Sequence, residues 1–183
     1  MSNGIKGFTL IEFMIAAAVA VVLFAIALPS FRSTILNNQI TAQTNMLIAD
    51  IQLARSEALK RGVAVIVCPS SNPSAATPSC SDDNWSSGWL VFASGDTNTS
   101  YDAASDVLVR AVAAMSDRVQ VHTNTTGADN IRFNPDASTN EGGNTVRLAL
   151  CDDRGAAYGK QVEVAPAGRP RLAASVSDCT TPT

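Results

Sequence analysis

Nearly every position between residues 8 and 28 is apolar, and the run carries a single full charge, Glu12. Its length matches the roughly 20 residues that a bilayer-spanning helix needs. A mostly polar stub, residues 1–6, precedes it. From residue 30 the pattern changes: Leu36, Ile40, Leu47, Ile51, Ala54 and Ala58 step by three, four or seven positions, which puts them on one face of an amphipathic helix. Lys60 and Arg61 suit the negative end of such a helix and Gly62 supplies a C-cap, so the helix is predicted to stop near residue 61. Pro29 lacks the N–H of a helical rung, so a kink or a locally melted stretch is expected over residues 25–29. Beyond the helix, short runs rich in β-branched and aromatic residues at 63–67, 89–92, 107–112, 118–121, 130–133, 145–150 and 160–164 read as strands. Gly, Asn, Asp and Ser fill most of the gaps. The layout is α+β, one helix backing an antiparallel sheet or a pair of sheets. It divides the chain into a hydrophobic segment 8–29, an amphipathic helix 30–62 and a β-rich head 63–183.

The 183 residues allow one domain with a real core in addition to the hydrophobic segment. Thirteen Lys and Arg against sixteen Asp and Glu make the chain mildly acidic, so contact with nucleic acid requires a local basic patch. Cys68, Cys80, Cys151 and Cys179 all follow the apolar run, and none lies in a CxxC pair or beside a histidine. That favours disulfides over zinc and places the head in an oxidising compartment. Of the three possible pairings, Cys68 with Cys80 and Cys151 with Cys179 are favoured because each closes a short Ser-, Asp- or Pro-rich segment. The alternative is four buried thiols in a reducing compartment.

A secretory signal would have a shorter apolar run followed by a small-residue cleavage site, and this chain has neither. A plain membrane anchor explains the length of the run. It leaves unexplained the carboxylate of Glu12, which is costly in an apolar setting unless something neutralises it. The stretch Lys6-Gly7-Phe8-Thr9-Leu10-Ile11-Glu12 resembles the processing motif of type IV prepilins and type II secretion pseudopilins. That resemblance implies cleavage by the prepilin peptidase between Gly7 and Phe8, removal of residues 1–7 as a leader, and methylation of the new amino group on Phe8. The hydrophobic run then serves as a membrane anchor and later as filament core, where Glu12 of one subunit neutralises the N-terminal cation of another. An ion pair of this kind adds little net stability but fixes register. Pro29 matches a proline that pilins commonly carry.

The head is similar to the GspH/FimT family of minor pilins and pseudopilins. The resemblance rests on Arg55-Ser56-Glu57-Ala58, the run Trp85-Ser86-Ser87-Gly88-Trp89-Leu90-Val91-Phe92, Asp106-Val107-Leu108-Val109-Arg110, and Ile131-Arg132-Phe133-Asn134-Pro135. It implies a type IV pilin-like fold, a long N-terminal helix packed on an antiparallel β head, and a role as a minor pilin in pilus assembly and initiation. The implied partners are other major and minor pilins, the prepilin peptidase and the inner-membrane assembly machinery. The implied location is the inner membrane, single-pass with the head in the periplasm, and then the extracellular pilus. A type II secretion pseudopilin is the alternative within the same architecture, and a single-pass anchored periplasmic enzyme is a third reading. Residues 69–83 look like a variable loop pinned by cysteines. Taken without the family, Trp85 and Trp89 read as core or sheet-edge aromatics in preference to a ligand platform.

Catalysis finds no support in the residues, and no cofactor is expected. His122 is the only histidine, no serine sits in a nucleophile motif, and no phosphate-binding glycine loop occurs. Residues 96–102 alternate oxygen ligands as a calcium loop does, but Tyr101 replaces the turn glycine and Val107 stands where the closing Glu belongs. A solvated hairpin loop suits them better. Gly168-Arg169-Pro170-Arg171 holds two arginines two apart on a proline-stiffened segment, a spacing that can point both the same way. Between residues 154 and 171 the basic residues Arg154, Lys160, Arg169 and Arg171 meet a single acid, Glu163. The tetrapeptide also resembles the GRxR motif of FimT members linked to DNA uptake in natural transformation. That resemblance implies weak, salt-sensitive binding of duplex DNA without sequence preference, through Arg154, Lys160, Gly168, Arg169 and Arg171. The competing reading has Arg169 and Arg171 paired with Asp152, Asp153 or Asp178.

Overall fold

A computed structural model describes residues 9–80, 85–96, 98–113, 116, 118–123, 130–139, 144–176 and 179. The leader and the Gly7–Phe8 junction lie outside these residues. The chain divides into two compact units, Met1–Asn38 and Gln39–Thr183.

The first unit consists of the opening part of helix α1 (Leu10–Arg61). Leu10, Phe13, Val21, Phe24 and Ile26 are all more than half exposed. Such an apolar surface has no stable place in water and needs lipid or other helices around it. The expected melting before Pro29 is not found: α1 is helical through that residue. A proline removes only its own N–H from the ladder, and the flanking rungs keep the helix continuous.

In the second unit, Ile40, Leu47, Ile51, Ala54 and Ala58 of α1 are fully buried, which is the face that the three-four spacing predicts. Thr44 fills the remaining place in the stripe, its hydroxyl donating to the Ile40 carbonyl at 2.7 Å. The helix ends as expected, with Gly62 at φ 67° and its N–H on the Ala58 carbonyl at 2.9 Å.

The stripe packs on two four-stranded antiparallel sheets. Strands β1 (Val65–Pro69), β2 (Trp89–Ala93), β3 (Val107–Val112) and β5 (Ile131–Phe133) form the first, in the order β3-β2-β1-β5. The second contains β4 (Gln120–Thr123), β6 (Val146–Cys151), β7 (Lys160–Val164) and β8 (Pro170–Leu172), in the order β4-β6-β7-β8. β8 is absent from the strands expected above. Strands β1 and β2 are buried at every position because both faces of their sheet are covered. Val65, Val67, Trp89 and Val91 join the helix stripe in the main core, whereas Ile66, Cys68, Leu90 and Phe92 form a smaller cluster on the other side. Cys80 and Tyr101 close that cluster, the latter edge-on to Phe92 with ring centroids 5.4 Å apart. The disulfide Cys68–Cys80 therefore holds its loop as a lid over a minor core. Cys151–Cys179 ties the end of β6 to the C-terminal segment.

Trp85, in a 3-10 turn before β2, and Trp89 are both core residues. Trp89 also donates its indole N–H to Asp50 of α1 at 2.8 Å. The other Asp50 oxygen lies 3.1 Å from an Arg110 nitrogen on β3, close enough for charge attraction but not aligned as a hydrogen bond.

Candidate functional site

The tetrapeptide singled out in the sequence opens the edge strand of the second sheet. Gly168 sits at φ 70° and is buried, and a Cβ built on it would meet the Ala137 carbonyl oxygen at 1.9 Å. Only glycine satisfies both demands. The β7–β8 turn docks there on the turn after β5, where the Thr139 N–H reaches the Pro166 carbonyl at 2.9 Å. Gly168 thus has a structural duty, and it fixes where the next residue emerges. Pro170 is tolerated because β8 is an edge strand.

The two arginines are not equivalent. In the register of the sheet, Arg147 of β6 faces Glu163 of β7, which faces Arg171 of β8. The Glu163 carboxylate accepts from Arg147 Nε at 3.2 Å and from Arg171 Nε at 2.8 Å. Burial pushes the Glu163 carboxyl up, but hydrogen bonds from Arg171 and Arg147 and the nearby charge outweigh that and hold it below its ordinary value. The acid that meets Arg171 is therefore Glu163, and neither Asp152 nor Asp153; Asp178 lies outside the described residues. Arg169 is exposed and has no ion-pair partner among the described residues. It lines a groove with Pro170 and, from α1, Gln52, Arg55, Ser56 and Leu59.

Arg154 and Lys160 stand at the other end of β7. A strand advances about 3.3 Å per residue, so β7 puts roughly 15 Å between Lys160 and the turn that carries Gly168. Arg154 is also engaged: its guanidinium donates to both oxygens of Asp152 and stacks 4.3 Å above the Tyr158 ring. Burial raises the Asp152 carboxyl, and the hydrogen bonds from Arg154 more than reverse that shift. The four basic residues that are close in sequence form two separate groups on the sheet.

Glu12 is exposed in the first turn of α1, where its N–H lies 3.3 Å from the Thr9 hydroxyl oxygen. Thr-x-x-Glu at a helix start is a capping-box pattern, and a carboxylate there also suits the positive helix end. His122 is half-buried on β4. In the loop before β3, Asp106 accepts from the Gly95 and Asp102 N–H groups, which makes the hairpin self-contained.

An N-terminal helix apolar in its first part and amphipathic in its second, packed on antiparallel sheets, defines the type IV pilin fold. The chain belongs to the family described as type II transport protein GspH, whose sequence model matches residues 43–168. That match stops just before Arg169. A prokaryotic N-terminal methylation motif matches residues 2–28. Two crystal structures of the type IV minor pilin FimU from Pseudomonas aeruginosa strain PAO1 share the fold. One aligns with TM-score 0.60 at 17% identity, covering 78% of this chain and 96% of FimU. The other, from a second crystal form, gives 0.58 at 16% identity, with 76% and 98% covered. No curated protein matches the chain.

Proposed function

We propose that this chain is a minor pilin of a type IV pilus whose head makes a weak, sequence-independent contact to duplex DNA through Arg169 and Arg171. Arg169 carries the DNA reading: an exposed guanidinium without an ion-pair partner among the described residues, its backbone set by Gly168 and Pro170. Arginine forks match phosphate oxygens, and phosphate contact reads no sequence. Lys160 offers a second cationic point at the far end of β7, where the charge of Arg154 is already offset by Asp152.

The pilus assignment is supported by the methylation motif and by the FimU likeness in fold. In this reading the peptidase cuts between Gly7 and Phe8, and the apolar helix anchors the subunit in the inner membrane with its head in the periplasm. Glu12 then pairs with the N-terminal amine of a neighbouring pilin as the subunit enters the filament, with Pro29 further along the same helix. A pseudopilin of a type II secretion system is the second reading, favoured by the description of the family whose model matches.

The decisive titration uses the oxidised head from Phe31 onward with duplex DNA at several salt concentrations. Binding should weaken steeply with salt and disappear in Arg169→Ala/Arg171→Ala. Absence of binding at low salt removes the DNA role. Deleting the protein from its cell separates the other two readings: lost piliation supports the pilus, and lost protein secretion with intact pili supports the secretion filament.

A further inference from the structure

The groove beside Arg169, about 400 Å³, brings a second guanidinium to the site. Arg55 lies 114 positions earlier in the chain, on the flank of α1, and its Nε is buried with no hydrogen-bond partner. None of the six lining residues is acidic. The nearest acid in sequence, Glu57, is engaged by Arg61 and Lys60. These two cations also offset the negative end of the helix, one turn beyond the groove. The Ser56 hydroxyl donates to the Leu53 carbonyl, which leaves the two guanidinium groups and the Gln52 amide as the remaining side-chain donors among the lining residues.

Two cations that line one groove with no acid among the lining residues repel each other. One oxyanion held in the groove relieves that repulsion. We infer that Arg55 and Arg169 together seat a phosphate group, and that Arg55 belongs to the anion-binding surface although it lies on the helix. A phosphate offers more acceptor lone pairs than a carboxylate, which suits two planar forks and an amide lining one groove. The source of the phosphate, a DNA backbone or a free or lipid phosphate, rests on the function proposed above; the groove's oxyanion chemistry does not.

The test uses the full-length oxidised chain in detergent micelles with 15N-labelled arginine, so that each Nε–Hε resonance reports its own site. Inorganic phosphate should shift the Arg55 and Arg169 resonances together and saturably, with a weaker response to acetate at the same ionic strength. The Arg169 response should vanish in Arg55→Gln and persist in Arg171→Gln. Arg55→Lys, which keeps the charge and lacks the fork, should lose most of it. A short DNA duplex should move the same two resonances, and Arg55→Gln should lower the slope of log K against log salt by about one. A silent Arg55 resonance in the unaltered protein overturns the inference, as does acetate matching phosphate, which would make the groove a socket for a neighbouring subunit's carboxylate. Duplex binding that needs Arg169 and Arg171 while Arg55 stays silent overturns the groove alone and leaves the DNA reading standing. A phosphate response without duplex binding does the reverse.

Discussion

Replacing Asp50 separates the two jobs its carboxylate performs. The residue is fully buried on α1, accepts the Trp89 indole N–H and faces the half-exposed Arg110. Asp50→Ala leaves the Trp89 N–H without an acceptor in a dry site, a cost of about 1–3 kcal/mol. The ion pair adds less, about 0.2–1 kcal/mol, because Arg110 reaches solvent at its far end. The expected loss is therefore about 1–4 kcal/mol. Asp50→Asn keeps an acceptor of the same shape, loses the attraction to Arg110 and also removes the penalty of burying a charge. These changes oppose each other, so the variant should lie within about 1 kcal/mol of the parent. Burial raises the Asp50 carboxyl, against the Trp89 hydrogen bond and the Arg110 charge, which lower it. A raised folded pKa means that the native state binds the proton more readily than the unfolded chain. Asp50's contribution is then fully present below the unfolded value, about 3.9, and is lost as pH rises through the folded value. Urea unfolding of the oxidised head, followed by tryptophan fluorescence from pH 4 to 8, measures all of this. The difference between parent and Asp50→Asn isolates the Asp50 term from Asp152 and Glu163, whose lowered pKa values act in the opposite direction. The reasoning fails if Asp50→Ala is within 0.5 kcal/mol of the parent, a threshold set at the noise of mutational energies (~0.5 kcal/mol), or if Asp50→Asn costs as much as Asp50→Ala.

Three further outcomes are expected. Gly168→Ala meets a backbone oxygen at 1.9 Å and a left-handed φ, so unfolding should show a loss of about 2–4 kcal/mol, with any DNA affinity lost by way of the fold. Glu163→Gln removes the carboxylate that holds Arg171, so duplex binding should tighten several-fold at low salt and converge with the parent at high salt, measured by fluorescence anisotropy. Cys151→Ser/Cys179→Ser opens a 28-residue loop and should cost about 3.5 kcal/mol, while Cys68→Ser/Cys80→Ser opens a 12-residue one for about 3 kcal/mol, read as shifts in denaturant midpoint.

Much of the architecture could be read from periodicity, because burial is one-sided on α1 and the strand runs of the head are rich in β-branched residues. β8 escaped because Pro170-Arg171-Leu172 is three residues long and starts with proline, which only an edge position permits. Asp50 also escaped. The available signal was its position three residues after Leu47 and one before Ile51, inside the buried stripe, but its partners sit on strands 39 and 60 positions later in the sequence. The basic window 154–171 is contiguous in sequence but divides into two groups on the sheet. A strand separates its two ends, so Lys160 opens β7 while Arg169 lies in the turn that follows the other end. Arg55 gave no signal as a site residue, since a helical arginine just before a charged helix end reads as solvated surface.

The unequal environments of Arg169 and Arg171 resolve how an acidic chain could hold a polyanion. Arg147, Glu163 and Arg171 together carry one net positive charge, fixed on the outer face of the second sheet by cross-strand pairing. Arg55 and Arg169 bring two more, with no carboxylate lining their groove. Since Arg169 and Arg171 are two residues apart, these charges adjoin across the edge formed by β8. The surplus of acidic residues elsewhere repels DNA only over distances that salt screens, about 8 Å at physiological ionic strength, whereas contacts at hydrogen-bond distance survive that screening better. A small, locally cationic edge is therefore enough for contact without a basic protein. Losing either arginine removes one charge, but the Arg169 guanidinium has no ion-pair partner among the described residues, whereas that of Arg171 is already held by Glu163, so the loss of Arg169 takes away the more available phosphate donor.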